Sequence, residues 1–279
     1  MKNKSGKKVD KVTVILVAVL VLGLCLIGYP SFADAWNRYH SYQAINTYTE
    51  RLEDMDGSEL VAMKEAAREY NQRLVGKTPT YMLSDEEMKE YTSLLNINGN
   101  GMMGYIYIPK IRVTLPVYHT VEDSVIQRAI GHIPGTSLPV GGESTHCVIS
   151  GHRGLPSAKL FSDINKLKEG DTFMLQILDE TLTYEVDQIH TVLPEEVQDL
   201  KIEEGKDYCT LVTCTPYGVN THRLLVRGHR VETTEAIHVS ADATQMDMRY
   251  AALVIGIIIL LVLLVGMFIR QAMKRRNNR

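Results

Sequence analysis

The 279-residue chain has no surplus of positive charge: 30 Lys and Arg stand against 33 Asp and Glu, for a formal charge of -3. Without spare cations to neutralise phosphates, a nucleic-acid partner is not expected. The sequence has no internal repeat and no low-complexity tract. None of its 9 histidines falls in a His-Glu-x-x-His or comparable ligand array, which argues against a metal site. Neither a metal nor an organic cofactor is expected. Cysteine is scarce, with Cys25, Cys147, Cys209 and Cys214 the full set.

Charge is absent altogether from two stretches, Val12 to Tyr29 (VTVILVAVLVLGLCLIGY) and Tyr250 to Ile269 (YAALVIGIIILLVLLVGMFI). Each approaches the roughly 20 apolar residues that a helix needs to cross a hydrocarbon core. Helix is the expected form, because a spanning segment must satisfy its own backbone polar groups. Lys2, Lys4, Lys7, Lys8 and Lys11 precede the first run, and Arg270, Lys274, Arg275, Arg276 and Arg279 follow the second. Cationic flanks stay in the cytoplasm, so both termini are expected inside and residues 31–249 outside. A cleaved signal peptide is the alternative for the first run, with Ser31 and Ala33 as a small-residue site, but the run is long for a signal core. Either way the middle of the chain is exported. Cys25 reads as a small lipid-compatible residue, and the other three cysteines leave at least one exported thiol unpaired within the chain.

The spans and the composition between them divide the chain into a cytoplasmic tail (1–11), a membrane helix (12–30), a helical region (31–75), a charged, turn-rich segment (76–101), a β-rich domain (102–232), a polar tether (233–249), a second membrane helix (250–269) and a basic cytoplasmic tail (270–279). In the helical region Trp36, Tyr39, Ile45, Tyr48 and Leu52 recur at near-helical spacing. After a break at Asp56-Gly57-Ser58, a second set follows in Met63, Ala67, Tyr70 and Leu74. These helices either form a collar on the next domain or bury one face for stability alone. Residues 76–101 hold a charged stretch and the turn signal Asn98-Gly99-Asn100-Gly101, with little to suggest a core. From Met103 onward, seven short apolar or alternating runs follow in about 130 residues: MGYIYIP, VTLPVY, HCVISG, TFMLQIL, LTYEVDQIHTV, YCTLVTC and RLLVRG. That density of strands predicts a closed or nearly closed β-barrel. Short helices are expected near Ser124 to Ala129 and Ala158 to Leu167.

Cys214 ends one of these runs and is followed by Thr215-Pro216, so its thiol is expected at a strand end, opening onto a loop. His152 follows another run and is bracketed by Gly151 and Gly154, which let the backbone turn sharply and leave room for another chain. If the Cys214 run and the one beginning at Arg223 form a hairpin, Cys214 and Arg223 stand at the same end. A guanidinium there can stabilise the oxyanion of a tetrahedral intermediate or hold a substrate backbone. Arg227 and Arg230 read as surface arginines on an edge strand.

The stretch Thr210 to Gly228 (TLVTCTPYGVNTHRLLVRG) resembles the active-site signature of sortases, specifically class C, the pilin-polymerising branch. Ser144 to Phe161 (STHCVISGHRGLPSAKLF) resembles the family's histidine segment, and Leu94 to Ile111 (LLNINGNGMMGYIYIPKI) resembles the start of its barrel. The resemblance implies a mainly β fold, a sortase β-barrel of about eight strands with N-terminal helices and two membrane helices. Its catalytic cysteine, histidine and arginine fall on Cys214, His152 and Arg223. It implies transpeptidation at a Leu-Pro-any-Thr-Gly (LPXTG) signal near the C-terminus of a surface or pilin protein. Cleavage falls between Thr and Gly through a thioester, with transfer to an amine, in class C a pilin lysine. A housekeeping sortase using cell-wall peptide as acceptor, and a cysteine protease using water, are the alternatives.

One departure stands out. Class C sortases commonly carry an Asp-Pro-aromatic lid before the barrel, whereas residues 76–93 have no Asp-Pro. Thr78-Pro79-Thr80-Tyr81 is the nearest candidate, giving a modified lid of Pro79 and Tyr81 without the carboxylate. In the sortase barrel the strands of Cys147 and Cys209 lie adjacent and parallel, so the two are expected at one level, as buried free thiols rather than a disulfide.

Overall fold

The computed structural model describes residues 11–77, 81–233 and Gly266. The chain divides into two units, residues 1–35 with 240–279, and residues 36–239.

Helix α1 (Lys11–Glu53) takes in the first apolar run in helical form and contains Pro30. Among the described residues no helix is long and apolar enough to cross a membrane. The second apolar run, the tether beyond residue 233 and the basic tail lie outside the described residues, Gly266 excepted.

The anticipated break falls just after α1, and α2 (Gly57–Gln72) follows it. Ile45 and Tyr48 of α1 are buried against Met102 and Tyr105 of the barrel. The Tyr48 hydroxyl donates to the Met103 carbonyl at 2.8 Å and accepts from the Leu178 amide at 2.9 Å, so a buried polar group is fully used. Asn71 of α2 makes a two-way bond to the Leu138 backbone, at 3.0 and 2.7 Å. Both helices thus pack against the β-rich domain.

Helix α3 (Asp85–Ser93) starts at a capping box in which the Ser84 and Glu87 side chains each bond the other's backbone. It corrects the expectation that residues 76–101 contribute little core: Tyr91 and Leu95 are both fully buried. Tyr91 lies between two imidazoles, stacked on His132 and edge-on to His119, and its hydroxyl is 2.9 Å from His132 Nδ1.

The barrel consists of β1 (Met102–Ile108), β2 (Val113–His119), β3 (Ile130–His132), β4 (Thr145–Ser150), β5 (Thr172–Ile177), β6 (Glu180–Val192), β7 (Asp207–Thr215) and β8 (His222–Val231). It closes in the order β1-β2-β3-β4-β7-β8-β6-β5. Seven of the strands are the seven apolar runs; β3, three residues long, is the eighth. Between β2 and β3 lies the short helix α4 (Asp123–Ile126), close to where one was expected. The helix expected at Ala158 to Leu167 is instead turns and a 3-10 segment at Ile164–Lys166. The apolar residues there pack singly into the core, as with Phe161 and Ile164, both fully buried, and need no helical stripe.

Strands β4 and β7 run parallel, and Cys147 stands opposite Cys209. Both are free and buried. Strand β8 is not an edge: it pairs with β6 on one side and β7 on the other. Arg227 is therefore not on an edge strand, and its side chain is partly buried. It meets Asp187 through Nε and Nη2, both at 3.1 Å, and lies over the Tyr208 ring at 4.1 Å. Arg230 likewise lies over the Tyr184 ring at 5.8 Å.

Candidate active site

Strand β7 ends at Thr215, and the Thr215–Pro216 peptide bond is cis. Cys214, the penultimate residue of β7, is partly exposed. The β7–β8 hairpin has the expected register, with Cys214 directly opposite Arg223. A sulfur and a guanidinium thus stand on adjacent strands at one end of the barrel. Arg223 Nη1 donates to the carbonyls of Asn220 and His222, at 3.2 and 3.0 Å, which fixes the guanidinium over its own turn.

The segment carrying His152 comes to the same end because β4 is the parallel neighbour of β7. Their register finishes with Ser150 opposite Val212. Past the strand end, the Gly151 amide donates to the Val212 carbonyl at 3.0 Å, and the Thr213 hydroxyl donates to the Gly151 carbonyl at 2.7 Å. The residue before His152 is therefore bonded to the two residues before Cys214. Gly151 is required by crowding: a Cβ there would come within 2.7 Å of Ile130 and Phe161 side-chain atoms. On the other side, the Phe161 amide donates to the His152 carbonyl at 3.1 Å.

Among the described residues His152 Nε2 is enclosed and has no hydrogen-bond partner. Burial pulls the imidazole below the usual histidine range, opposed by the negative charge of Asp123 at the start of α4. An enclosed, mostly neutral imidazole with an unused nitrogen is suited to taking and returning a proton.

Of the predicted residues, Cys214 and Arg223 are cross-strand partners and His152 reaches their end through its neighbour Gly151. The lid pair is not brought to them by any observed contact. Pro79 lies outside the described residues, and Tyr81 is half-buried with an enclosed hydroxyl that has no partner among the described residues. Sequence reasoning missed Thr213, whose link to Gly151 crosses 62 positions, and Asp123, which no motif marks.

A family model described as the sortase domain matches residues 106–231. The crystal structure of sortase C1 from Streptococcus agalactiae is 53% identical, with 68% of this chain and 99% of that one aligned at a TM-score of 0.67. This chain belongs to the sortase family. Sortases are cysteine transpeptidases, and this one shares its architecture with the sortase C enzymes. A Streptococcus pneumoniae sortase C, whose structure was described for catalysis and pilin substrate specificity, is 42% identical over 70% of this sortase and 100% of its own chain, with a TM-score of 0.63. A Clostridium perfringens sortase C solved with the C-terminal cell wall sorting motif is 42% identical, covering 69% of this sortase and 100% of its own chain at a TM-score of 0.60.

Proposed function

We propose that this sortase polymerises pilins: it cleaves an LPXTG-type signal between Thr and Gly and joins the new acyl end to a pilin lysine. The observation that carries the chemical part is the alignment of Cys214 with Arg223, with Gly151 tied to Val212 and Thr213 beside them. His152 takes the Cys214 thiol proton, the thiolate attacks the threonyl carbonyl carbon, and Arg223 donates to the oxyanion that forms. Collapse breaks the Thr–Gly C–N bond, and imidazolium His152 gives its proton to the departing glycine amine. A lysine amine then attacks the thioester and loses a proton to His152, and the Cys214 thiolate leaves. The likeness to sortase C structures, one described for pilin substrate specificity and one solved with a sorting motif, supports the pilin reading.

The test is the product. Full-length protein in detergent, given an LPXTG peptide and a lysine-containing pilin fragment, is expected to yield an isopeptide conjugate, with the thioester on Cys214 seen by mass spectrometry. A conjugate formed only with cell-wall peptide would point to a housekeeping sortase, and hydrolysate alone to a protease.

The same reading places the catalytic domain outside the cell, with both termini cytoplasmic and spans at 12–30 and 250–269. The uncharged part of the first span covers roughly 27 Å as helix, at about 1.5 Å per residue, close to the ~30 Å hydrocarbon core. Impermeant labelling of single cysteines placed at both termini and at residue 170 tests this topology. Pro79 and Tyr81 complete the proposal as a lid lacking the carboxylate. Alkylation of Cys214 faster in Tyr81→Ala than in the native protein supports the lid, and equal rates remove it.

A further inference from the structure

The loops leaving His152 and Cys214 are joined a second time, farther out than the Thr213–Gly151 bond. Arg153, next after His152, donates from Nη1 to the Thr215 hydroxyl at 3.3 Å, and Thr215 is next after Cys214. The Arg153 guanidinium also lies over the Tyr217 ring, 5.8 Å from its centroid. The Tyr217 ring in turn rests on Gly154. A Cβ on Gly154 would meet Tyr217 Cε2 at 2.9 Å and Cζ at 3.0 Å. Gly154 has φ +81, a conformation that side-chain-bearing residues rarely adopt, so it accepts the ring on both counts. Its amide is held by the Ser162 hydroxyl at 3.1 Å.

Tyr217 is 63% exposed, so burial of the ring accounts for little of its placement. What orders the ring is its close approach to Gly154 and the guanidinium over it. Each contact runs from a residue one or two places after His152 to a residue one or three places after Cys214. Such a link limits how far the imidazole and the thiol can drift apart without itself touching the reacting atoms.

We propose that Arg153 and Tyr217 are positioning residues, a strap between the two active-site loops that sets the separation of His152 from Cys214, with Gly154 as its seat. The proposal rests on the reading of Cys214 and His152 as the reacting pair. A loss of alignment by a fraction of an ångström to about 1 Å costs up to about a hundredfold in rate. The charge bearing on His152 from α4 is that of Asp123, which lies outside the strap and is left intact by strap variants.

The experiment uses full-length protein in detergent with an LPXTG peptide and a lysine peptide, and reads kcat, KM and the pH dependence of Cys214 alkylation by iodoacetamide. Tyr217→Ala is expected to lower kcat by about ten- to a hundredfold with KM within about twofold. Its alkylation profile should move toward that of His152→Ala. Tyr217→Phe, which keeps the ring, should restore both. Gly154→Ala, which pushes the ring away, should match Tyr217→Ala. Should Tyr217→Ala fail to fold, Arg153→Gln runs the same test from the other loop. A kcat within twofold of native together with an unshifted alkylation profile would overturn the strap. So would a raised KM at constant kcat, which would make Tyr217 a substrate contact. If Cys214→Ala or His152→Ala instead kept full activity, the reading of the reacting pair would be what failed.

Discussion

The Thr213 hydroxyl donates to the Gly151 carbonyl over 2.7 Å, and both residues are buried. This bond links the residue preceding the thiol to the residue preceding the imidazole. Thr213→Val keeps the shape but leaves a buried carbonyl short of a donor, at a cost of about 1–3 kcal/mol. We expect a lower urea midpoint, and a fall in kcat/KM larger than the same loss of stability produces when introduced far from the site, for example by Ile45→Val. Comparing the two variants separates alignment from general destabilisation.

Two arginines on β8 should behave in opposite ways. Arg223 faces Cys214 across the hairpin, and Arg223→Ala is expected to lower kcat by about 10²–10³ with little change in stability. Arg227 is clamped between Asp187 and the Tyr208 ring, four residues along the same strand. Removing it leaves a partly buried carboxylate without its cation, and we expect a loss of about 2 kcal/mol in chemical denaturation with kcat unchanged. Similar activity losses for both variants would contradict this division.

Stability should rise with pH across the histidine range. His146 is buried and neutral-satisfied: Nδ1 donates to the Lys201 carbonyl at 2.8 Å and Nε2 accepts from the Thr210 hydroxyl at 2.7 Å. Burial is the main cause holding both His146 and His152 below the ordinary value of 6.5. The unfolded chain therefore binds more protons as pH falls below that value. The stabilising contribution is complete above about pH 6.5 and lost as pH drops through the lower folded-state values. Urea midpoints between about pH 8 and pH 5 should fall, and less steeply in a His146→Gln variant.

Asp123 is the charge that opposes this depression at His152. Asp123→Asn should lower the imidazole pKa further, shifting the acidic limb of the pH–rate profile downward. Nuclear magnetic resonance titration of the His152 ring proton checks the same shift directly.

The thiols are countable. On a Cys25→Ser background, native protein should take one alkyl group, at Cys214, because Cys147 and Cys209 are buried. Denaturation without reductant should raise the total to three. A count that stays at one would show Cys147 bonded to Cys209.

Much of this was legible in the sequence because alternation and turn residues are local. The runs at Tyr208 to Cys214 and Arg223 to Gly228 announced a hairpin, and its register followed from where each run stopped. What escaped depended on partners far along the chain. Strand β3 is too short for a pattern of its own and exists because Val117 and Ser150 offer it neighbours. Arg227 looked like an edge residue because closure of the barrel, which puts β6 beside β8, is not written in either strand. Tyr91 sits in a charged nine-residue helix, and only the fold supplies the two histidines that enclose it. Asn37 donating to the Ser157 carbonyl at 2.7 Å, across 120 positions, left no trace in the sequence at all.

Strand β7 has hydrogen-bonded neighbours along both flanks, β4 and β8. An incoming peptide cannot dock by extending the sheet alongside the thiol, since no vacant row of main-chain donors and acceptors is on offer there. Sequence preference must then come from side chains and loop tips around the mouth of the cylinder, so exchanging those loops between sortases should carry selectivity with them while the strands stay untouched.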